Sequence, residues 1–458
     1  MITQSDLCLR FPTRFDSGNI SIKESIITFA ADKLLCRRRA EGTQLTAPES
    51  LACLSVRLGL DFKTSSWLDR ASERTQVERH MRMCLAASDG FRTMVTISPS
   101  EPLLAEASAA VMRECLGEKE APMALLQHIN SSYLNAGDRG EIVGALLLLL
   151  ARDKSVLGRK SPVHASPTDL KNDGMAQGRI VTVTEFLDAL VPPNCQPFVR
   201  EQTPTSCSAG HLPTTTLVHA FCQAYIYFNH FIKVHDVKMV DRKFLWRLFC
   251  RGTAVICANN QRGVDLIIPV LMGTILDPIF ITAIFIQVKN DAQITDNLCI
   301  GLFDLMNPIE VGLFSKGSKG SGKHLPPVVR IVFALASEIS TVTAPSTPTR
   351  RSDRLNSEDD FTAYDLWIAG VSSQSFGVVP DNQTFDEYRR LLDRTRNLFS
   401  GYGAMAKDGG KLAEIERIRI ALRRTMHAAA SSEDSHYQNY IGDLSAKPSA
   451  RKYVAPVY

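Results

Sequence analysis

Three polar residues stand out in the sequence because they interrupt apolar runs at a spacing that could place them in one site. Asp265 precedes the run Leu266-Ile267-Ile268, and Gln287 and Lys289 lie at the end of the next run. If both runs are β-strands, the alternation of side chains puts Gln287 and Lys289 on the same face of a sheet. An unpaired lysine buried among aliphatic residues is costly, so Asp265 is its natural partner. The pattern predicts a polar cluster suited to charge-stabilising chemistry at the ends of two neighbouring strands.

The elements that must position this cluster are strands, with an apolar helix before them. Short runs rich in β-branched and aromatic residues and bounded by turns predict strands at 253–257, 264–272, 279–289, 328–336 and 364–370. A helix is predicted at 141–151. The spacing of apolar residues predicts an amphipathic helix at 215–234, on which His219 and His230 would be core or boundary residues rather than metal ligands.

With an acid at the head of one strand and Q-x-K at the end of the next, the sequence resembles the PD-(D/E)XK nuclease superfamily, also called restriction-endonuclease-like. The resemblance covers about residues 130–370, and the order of the predicted elements is similar to the αβββαβ core of that family. It implies a mixed α/β fold and metal-dependent hydrolysis of phosphodiester bonds in DNA, with RNA as the other candidate substrate.

The resemblance also implies a role for each site residue. Glu141, Asp265 and Gln287 would hold Mg²⁺ or Mn²⁺, because hard divalent cations take oxygen ligands. Gln287 would be a neutral ligand or would orient water, and Lys289 would stabilise the charge that develops during hydrolysis. The sequence departs from the family pattern, since Gln287 replaces an acid and a long gap separates Glu141 from Asp265. A neutral Gln287 leaves a second hypothesis, a weakly active or inactive nuclease-like module that binds nucleic acid or a protein partner.

Within the superfamily, the sequence is most similar to the nuclease-like module of fungal Crinkler-type effector proteins. The segments that carry this resemblance are SEPLLAEA at 100–107, RGE at 139–141 and NNQRGVD at 259–265. Such proteins often place a P-loop ATPase before this module, but the first hundred residues contain no G-x-x-x-x-G-K-[ST] sequence. We therefore interpret residues 1–125 as a helical segment that is a remnant of an upstream ATPase region.

A second motif, GSKGSGKH at 317–324, fits G-x-x-x-x-G-K but carries His324 where a metal-binding Ser or Thr belongs. The two prolines that follow it disfavour the helix that a phosphate-binding loop must open. We therefore expect no bound nucleotide and interpret the segment as a basic loop. Its Lys316, Lys319 and Lys323, together with Arg262, are candidates for contact with a nucleic-acid backbone.

Each site residue also has a structural explanation that the sequence leaves open. Asp138 and Glu141 fit a D-x-x-E capping box, in which Glu141 caps a helix and does no chemistry. Asp265 could close a hairpin after the turn that precedes it. Gln287 and Lys289 could mark the point where a buried strand reaches solvent.

Composition excludes several classes of protein. The 458 residues carry a formal net charge of +4, with 45% hydrophobic and 22% charged residues, so the chain is neither wholly disordered nor fibrous. Its 11 cysteines include no C-x-x-C pair, which argues against structural zinc and a secreted disulfide framework. We expect no signal peptide, and turn signals divide the apolar stretch 266–286, so we expect no transmembrane helix. These features predict an intracellular protein, nuclear or cytoplasmic.

The predicted organisation places one nuclease-like core between helical and loose segments. This core spans 126–375, with C-terminal helices at 376–430 and a flexible tail at 431–458. Segments rich in Ser, Thr, Pro and Gly predict loop insertions at 154–178, 192–213 and 340–360.

Overall fold

The computed structural model describes most of the chain between Ile20 and Leu392. The described residues are 20–38, 44–60, 62, 67–87, 94–129, 139–157, 180–208, 211–258, 261–315, 325–345 and 361–392. They form a mixed α/β fold, as the sequence predicts.

Helices and strands alternate irregularly along the described chain. The helices are α1 (Ile20–Leu35), α2 (Ala47–Leu58), α3 (Trp67–Arg79), α4 (Pro102–Cys115), α5 (Glu120–Ile129), α6 (Arg139–Leu157), α7 (Val183–Leu190), α8 (Gln196–Glu201), α9 (Leu217–Ala220), α10 (Arg242–Cys250), α11 (Ile300–Asp304) and α12 (Asn382–Leu392). The strands are β1 (Met83–Ala87), β2 (Met94–Ile97), β3 (Val181–Thr182), β4 (Ala224–Ile226), β5 (His230–Lys233), β6 (Thr253–Ile256), β7 (Leu266–Met272), β8 (Ile281–Lys289), β9 (Val328–Ala334), β10 (Thr341–Thr343) and β11 (Ala363–Ala369).

In the described part of the chain, nine strands form one mixed sheet. Its neighbours follow the order β10-β11-β9-β8-β7-β4-β3, and β6 pairs with β7 and with β5. The strands β7 and β8 form an antiparallel hairpin, whereas β8, β9 and β11 run parallel to one another. The five strands predicted from the sequence are confirmed as β6, β7, β8, β9 and β11, each to within two residues at either end.

Both faces of the sheet are covered, which explains why its strands are apolar throughout. On β8, Ile284, Ile286 and Val288 belong to one apolar cluster, which we call core A and which includes α2, α4, α6 and α7. Ala283 and Phe285 belong to a second cluster on the other face, core B, which includes α10 and α11. The alternation along β8 therefore decides on which face each of its side chains lies.

The helices that precede the sheet share its core. Core A extends from Ile27 in α1 to Leu392 in α12 and includes the fully buried α6 residues Leu146 and Leu149. A helix that is apolar on all sides is typical of the centre of a core, and α6 is apolar on all sides from Ile142 to Ala151. The helices α1, α2 and α4 are thus packed in the same apolar cluster as β7 and β8.

Residues 215–234 do not form the predicted amphipathic helix. The chain makes only the short helix α9 there and then continues as β4 and β5. These strands pair with β7 and β6, so the sheet satisfies their backbone groups. The prediction was wrong because the apolar residues Phe221, Ala224, Phe228 and Phe231 are buried in core A, in two short strands and the turns beside them. In such short apolar runs the spacing of residues does not distinguish a strand from a helix.

The predicted loop insertions contain regular structure. In 154–178, α6 continues to Leu157 and the rest of the segment lies outside the described residues. In 192–213, Pro193–Cys195 forms a 3₁₀ turn and α8 follows. The prolines of this segment do not prevent these helices, because proline is tolerated in the first turn of a helix. In 340–360, β10 pairs with β11 before the chain leaves the described ranges.

The C-terminal region is described only in part. The helix α12 lies within the predicted helical segment 376–430, and the chain after Leu392, including the predicted tail 431–458, lies outside the described residues. The apolar stretch 266–286 forms β7 and most of β8. Within the described ranges, no helix has both the length and the apolar character needed to cross a membrane.

Candidate functional site

The β7–β8 hairpin brings three of the predicted site residues to one end of the sheet. Leu266 pairs with Ile286, and the N–H of Asp265 donates to the carbonyl oxygen of Ile286 at 2.9 Å. Asp265 therefore lies just before β7, beside the last residues of β8. Alternation along β8 puts Gln287 and Lys289 on the core B face. Their proximity is thus a property of the hairpin, whereas their catalytic roles stay a prediction.

Asp265 is a largely buried carboxylate at the start of β7. Its Oδ2 accepts a hydrogen bond from the Val288 N–H at 2.6 Å, so it caps a backbone donor on the neighbouring strand. Burial raises the pKa of Asp265 above its ordinary value, while the Val288 hydrogen bond and the charge of Lys289 act in the opposite direction. Lys289 therefore acts as an electrostatic partner of Asp265. The hydrogen bond from Val288 is equally consistent with a structural role, in which Asp265 closes the hairpin.

Gln287 is the most buried of the predicted site residues on this strand. It is 3% exposed, and its Oε1 has no hydrogen-bond partner among the described residues. An amide oxygen left without a partner in a protein interior costs about 1–3 kcal/mol, so such groups ordinarily have one. The carbonyl oxygen of Gln287 is therefore a buried acceptor without a partner among the described residues.

Cys257 belongs to the same end of the sheet, and the sequence analysis missed it. Its N–H donates to the carbonyl oxygen of Asp265 at 2.8 Å, so it lies beside Asp265 on the strand next to β7. Burial and the nearby carboxylates of Asp265 and Glu141 raise the pKa of the Cys257 thiol well above its ordinary value. The signal was present in the sequence, because pairing the predicted strands 253–257 and 264–272 as a hairpin places the end of the first beside Asp265.

Glu141 approaches this end of the sheet from the helix α6. A side chain at Gly140 would meet Asn290 Cβ at 3.1 Å, and one at Gly144 would meet Val288 Cγ2 at 3.0 Å, so α6 packs very closely on β8. This contact lies on the core A face, opposite to the face of Gln287. From that face Glu141 could approach Gln287 only around the end of the sheet, and its assignment as a metal ligand stays a prediction.

The atoms at this end of the sheet that could bind a metal ion are carboxylate oxygens, an amide oxygen and a thiol sulfur. Throughout the described ranges, no group of three or more His, Cys, Asp and Glu side chains is placed so that it could hold a metal ion. Glu141, Asp265 and Cys257 therefore do not form such a group as they stand. A metal ion held here would need the neutral oxygen of Gln287 as a ligand.

The loop that leads to Asp265 is held by Gly263. Its φ is +88°, and a Cβ at this position would lie 2.1 Å from the carbonyl oxygen of Leu305, just after α11. Only glycine combines this backbone conformation with so close an approach. Gly263 therefore fixes how the chain enters β7 and where Asp265 begins.

Replacing Gly263 by Ala is expected to lower the free energy of unfolding by at least about 2 kcal/mol, because overpacking and backbone strain each cost about 1–3 kcal/mol. Urea denaturation measures the change. Gly273→Ala is the matched control, since Gly273 also has a positive φ, +74°, but a Cβ there would meet nothing within 4 Å. If both variants lose the same free energy of unfolding, the close approach to Leu305 contributes nothing to the effect of Gly263→Ala.

The surface around this end carries charges of both signs. Arg262 is exposed, and its contact with a nucleic-acid backbone stays a prediction. Asp291, Asp304 and Glu310 are also exposed on the chain that connects β8 to β9. The predicted basic loop, with Lys316, Lys319 and Lys323, lies outside the described residues, and so does Asp138 of the predicted capping box.

His230 is a satisfied core histidine rather than a ligand. It is fully buried on β5, where one ring nitrogen lies 2.8 Å from Ser100 Oγ and the other 2.6 Å from Asn229 Oδ1. Burial first, and then the nearby guanidinium groups of Arg251 and Arg57, lower the pKa of His230 to about 3. The interpretation of His230 from the sequence is confirmed, although it lies on a strand and not on a helix.

Comparison with known proteins adds one partial match. Residues 44–192 match a family described as a domain of unknown function, DUF8736. The match covers about a third of the chain and includes α6 with Glu141, but it ends before the β7–β8 hairpin. Searches of curated proteins and of solved structures found no significant match to the chain.

Proposed function

We propose that this protein catalyses metal-dependent hydrolysis of phosphodiester bonds in DNA at the site of Asp265, Gln287 and Lys289. One observation carries the proposal: Gln287, near the end of β8, has a buried Oε1 without a partner among the described residues, and the carboxylate of Asp265 bonds to the next residue, Val288. Lys289 lies two residues further along the same strand face. A carboxylate, an amide oxygen and an ammonium group thus belong to residues at one end of the sheet.

The oxygen donors fit a hard divalent cation. The carboxylate of Asp265 and the Oε1 of Gln287 would hold Mg²⁺ or Mn²⁺, with Glu141 as a further ligand from the start of α6. When bound, such an ion polarises the phosphate and makes water a stronger nucleophile at neutral pH. Lys289 would stabilise the negative charge that develops on the phosphate. The apolar neighbours in core B would limit the access of bulk water to these groups.

The order of the elements supports the finer part of the proposal, a restriction-endonuclease-like core related to Crinkler-type effector modules. The helix α6 precedes β6, β7 and β8, and α11 and β9 follow, in the sequence αβββαβ. The strands β3, β4 and β5, with their helices, fill the long gap between α6 and β6. They extend the sheet beside β6 and β7. The strand β4 pairs with β7 at the end opposite to Asp265.

The alternative function is a nuclease-like module that binds nucleic acid or a protein partner without cleaving it. Gln287 brings no negative charge, and the described residues lack a group of three His, Cys, Asp or Glu side chains around it. The Val288 hydrogen bond also gives Asp265 a purely structural role. These observations favour weak metal affinity, which is what the alternative requires.

The test is cleavage of plasmid DNA, single-stranded DNA and RNA by the purified full chain with Mg²⁺, Mn²⁺ or EDTA. Asp265→Asn keeps an acceptor for the Val288 N–H and removes only the charge, and Lys289→Met keeps most of the side-chain volume. We expect each to reduce metal-dependent cleavage by at least about 100-fold, the loss typical of a group that stabilises developing charge.

Asp291→Asn is the matched control, since Asp291 is an exposed acid close to the same strand end. It should cleave as the wild type does. Cleavage that persists in EDTA, or that is unchanged in Asp265→Asn and Lys289→Met, would contradict the assigned site. A folded wild type that binds DNA or RNA but cleaves neither with any metal would favour the binding module.

A further inference from the structure

The helix α10 covers core B with its apolar side and carries basic residues on the side turned away from the sheet. The residues of α10 that belong to core B are Phe244, Leu245, Leu248 and Phe249. Lys243 is exposed and Arg247 is half-buried. Because they are four residues apart, they lie on the same side of the helix with Cβ atoms about 5–6 Å apart. Both side chains can therefore contact one extended ligand.

The charges of these two residues are not neutralised by ion pairs. In the part of the chain that the structure describes, neither Lys243 nor Arg247 forms an ion pair with an acid. The one acid of segment 237–251, Asp241, precedes the helix and accepts a hydrogen bond from the Phe244 N–H at 2.6 Å. With five lysine and arginine residues against this acid, the segment has a formal net charge of +4, as large as that of the whole chain.

The chain that connects β8 to β9 also covers core B, and it is acidic. Residues 290–315 contain no lysine or arginine and four acids, which are Asp291, Asp296, Asp304 and Glu310. This segment adjoins the one that carries α10, since a Cβ at Gly312 would lie 2.8 Å from the carbonyl oxygen of Val240. Charges of opposite sign are thus separated on this side of the sheet. A polyanion would be attracted to α10 and repelled by 290–315.

We propose that α10 binds the phosphate backbone of the DNA through Lys243 and Arg247, so that the DNA reaches the site across α10 and not across residues 290–315. The inference rests on the proposed function, which supplies the identity of the polyanion. The helix packs against β6, β7 and β8, on the same face of the sheet as Gln287 and Lys289. Arginine binds phosphate through parallel N–H groups and lysine as a point charge, and such contacts position a nucleic acid without reading its sequence.

The experiment is fluorescence anisotropy of a labelled DNA duplex with the full chain, in EDTA or Ca²⁺, at a series of salt concentrations. Each phosphate contact on duplex DNA contributes about 0.9 to the slope of log affinity against log salt concentration. We therefore expect the double variant Lys243→Gln with Arg247→Gln to lower this slope by about 1.8, equally for duplexes of different sequence. Glutamine is chosen because its helix propensity is close to that of lysine and arginine.

The matched control is the double variant Arg389→Gln with Arg390→Gln. It makes the same change of charge at exposed residues of α12, whose buried residues belong to core A on the other face of the sheet. This control should keep the wild-type slope. Asp291→Asn with Asp296→Asn tests the acidic side, and it should not lower the affinity for DNA.

The outcomes separate this inference from the proposed function. If the α10 variant keeps the wild-type slope while the wild type cleaves DNA, the inference is overturned and the nuclease stands. A lowered slope supports the inference even if the wild type cleaves nothing with any metal, a result that contradicts only the catalytic proposal. A wild type that binds no DNA would overturn both, and binding of phosphatidylserine vesicles through Lys243 and Arg247 would then assign the surface to a lipid. Should the double variant fail to fold, each single variant should lower the slope by about 0.9.

Discussion

Replacing Arg330 by Met is expected to lower the free energy of unfolding by about 3–5 kcal/mol, because it leaves the carboxylate of Asp365 buried without its partner. Arg330 lies on β9 beside Asp365 on β11, and both side chains are less than a tenth exposed. The guanidinium group donates to both carboxylate oxygens, at 2.6 and 2.7 Å, and to the carbonyl oxygen of Phe303 at 2.9 Å. Urea denaturation at neutral pH measures the change.

The control for Arg330→Met is Arg200→Met. Arg200 also pairs with an aspartate, Asp188, but its side chain is 50% exposed, and such pairs contribute less than about 1 kcal/mol. The double variant Arg330→Met with Asp365→Leu should recover much of the loss, since an apolar pair of similar volume can replace a buried ion pair. Equal effects of Arg330→Met and Arg200→Met would contradict the importance of burial.

Replacing Asp153 by Asn is expected to lower the free energy of unfolding by at least about 3 kcal/mol, because it removes a buried charge that three guanidinium groups share. Asp153 lies on α6 and accepts from Arg57 at 2.5 and 3.1 Å and from Arg152 at 3.0 Å. Arg113 lies 3.5 Å away. Without the charge of Asp153, Glu106 still pairs with two of these groups, at 3.7 Å from Arg113 and 3.9 Å from Arg152.

The loss of free energy of unfolding in Asp153→Asn is expected to depend on pH. Burial alone would raise the pKa of Asp153, but Arg57, Arg152 and Arg113 outweigh it and hold the pKa below the ordinary value. A carboxylate with a lowered pKa in the folded state stabilises the protein above its unfolded pKa of about 4, and this stabilisation is lost as the pH falls through the folded pKa. The difference between wild type and variant should therefore be full at pH 7 and smaller below about pH 4.

Urea denaturation at neutral and acidic pH checks this expectation, with Asp188→Asn as the control at the exposed pair with Arg200. At neutral pH, the free energy of unfolding of Asp188→Asn should differ little from that of the wild type. A wild-type advantage over Asp153→Asn that stays constant, or grows, as the pH falls would contradict the assigned pairing.

This charged cluster also joins the helices to the sheet. Arg57 on α2 donates to the carbonyl oxygen of Asn229 at 2.8 Å, and Asn229 donates to Glu106 on α4 at 2.8 Å. Asn229 in turn precedes β5 and contacts His230. The helices matched by the family of unknown function are therefore tied to β5, which lies beyond the matched residues, by buried hydrogen bonds as well as by core A.

The central strands and the face of the site followed from the sequence alone. The runs that form β7, β8 and β9 are long, apolar and bounded by turns, which leaves few alternatives to buried strands. The alternation within β8 also set Gln287 and Lys289 on one side. These features depend on neighbours along the chain, so local pattern is sufficient to predict them.

Only the tertiary structure decided which distant residues meet. The strands β4 and β5 were predicted as a helix, because their apolar residues are buried by sheet and helices on both sides and show no period of two. Cys257 was missed because its relation to Asp265 arises from the pairing of β6 with β7. The pairs Arg57–Asp153 and Arg330–Asp365 join residues 96 and 35 positions apart. Such contacts depend on the order of strands and the packing of layers, which no local pattern contains, because they form only when the whole sheet is assembled.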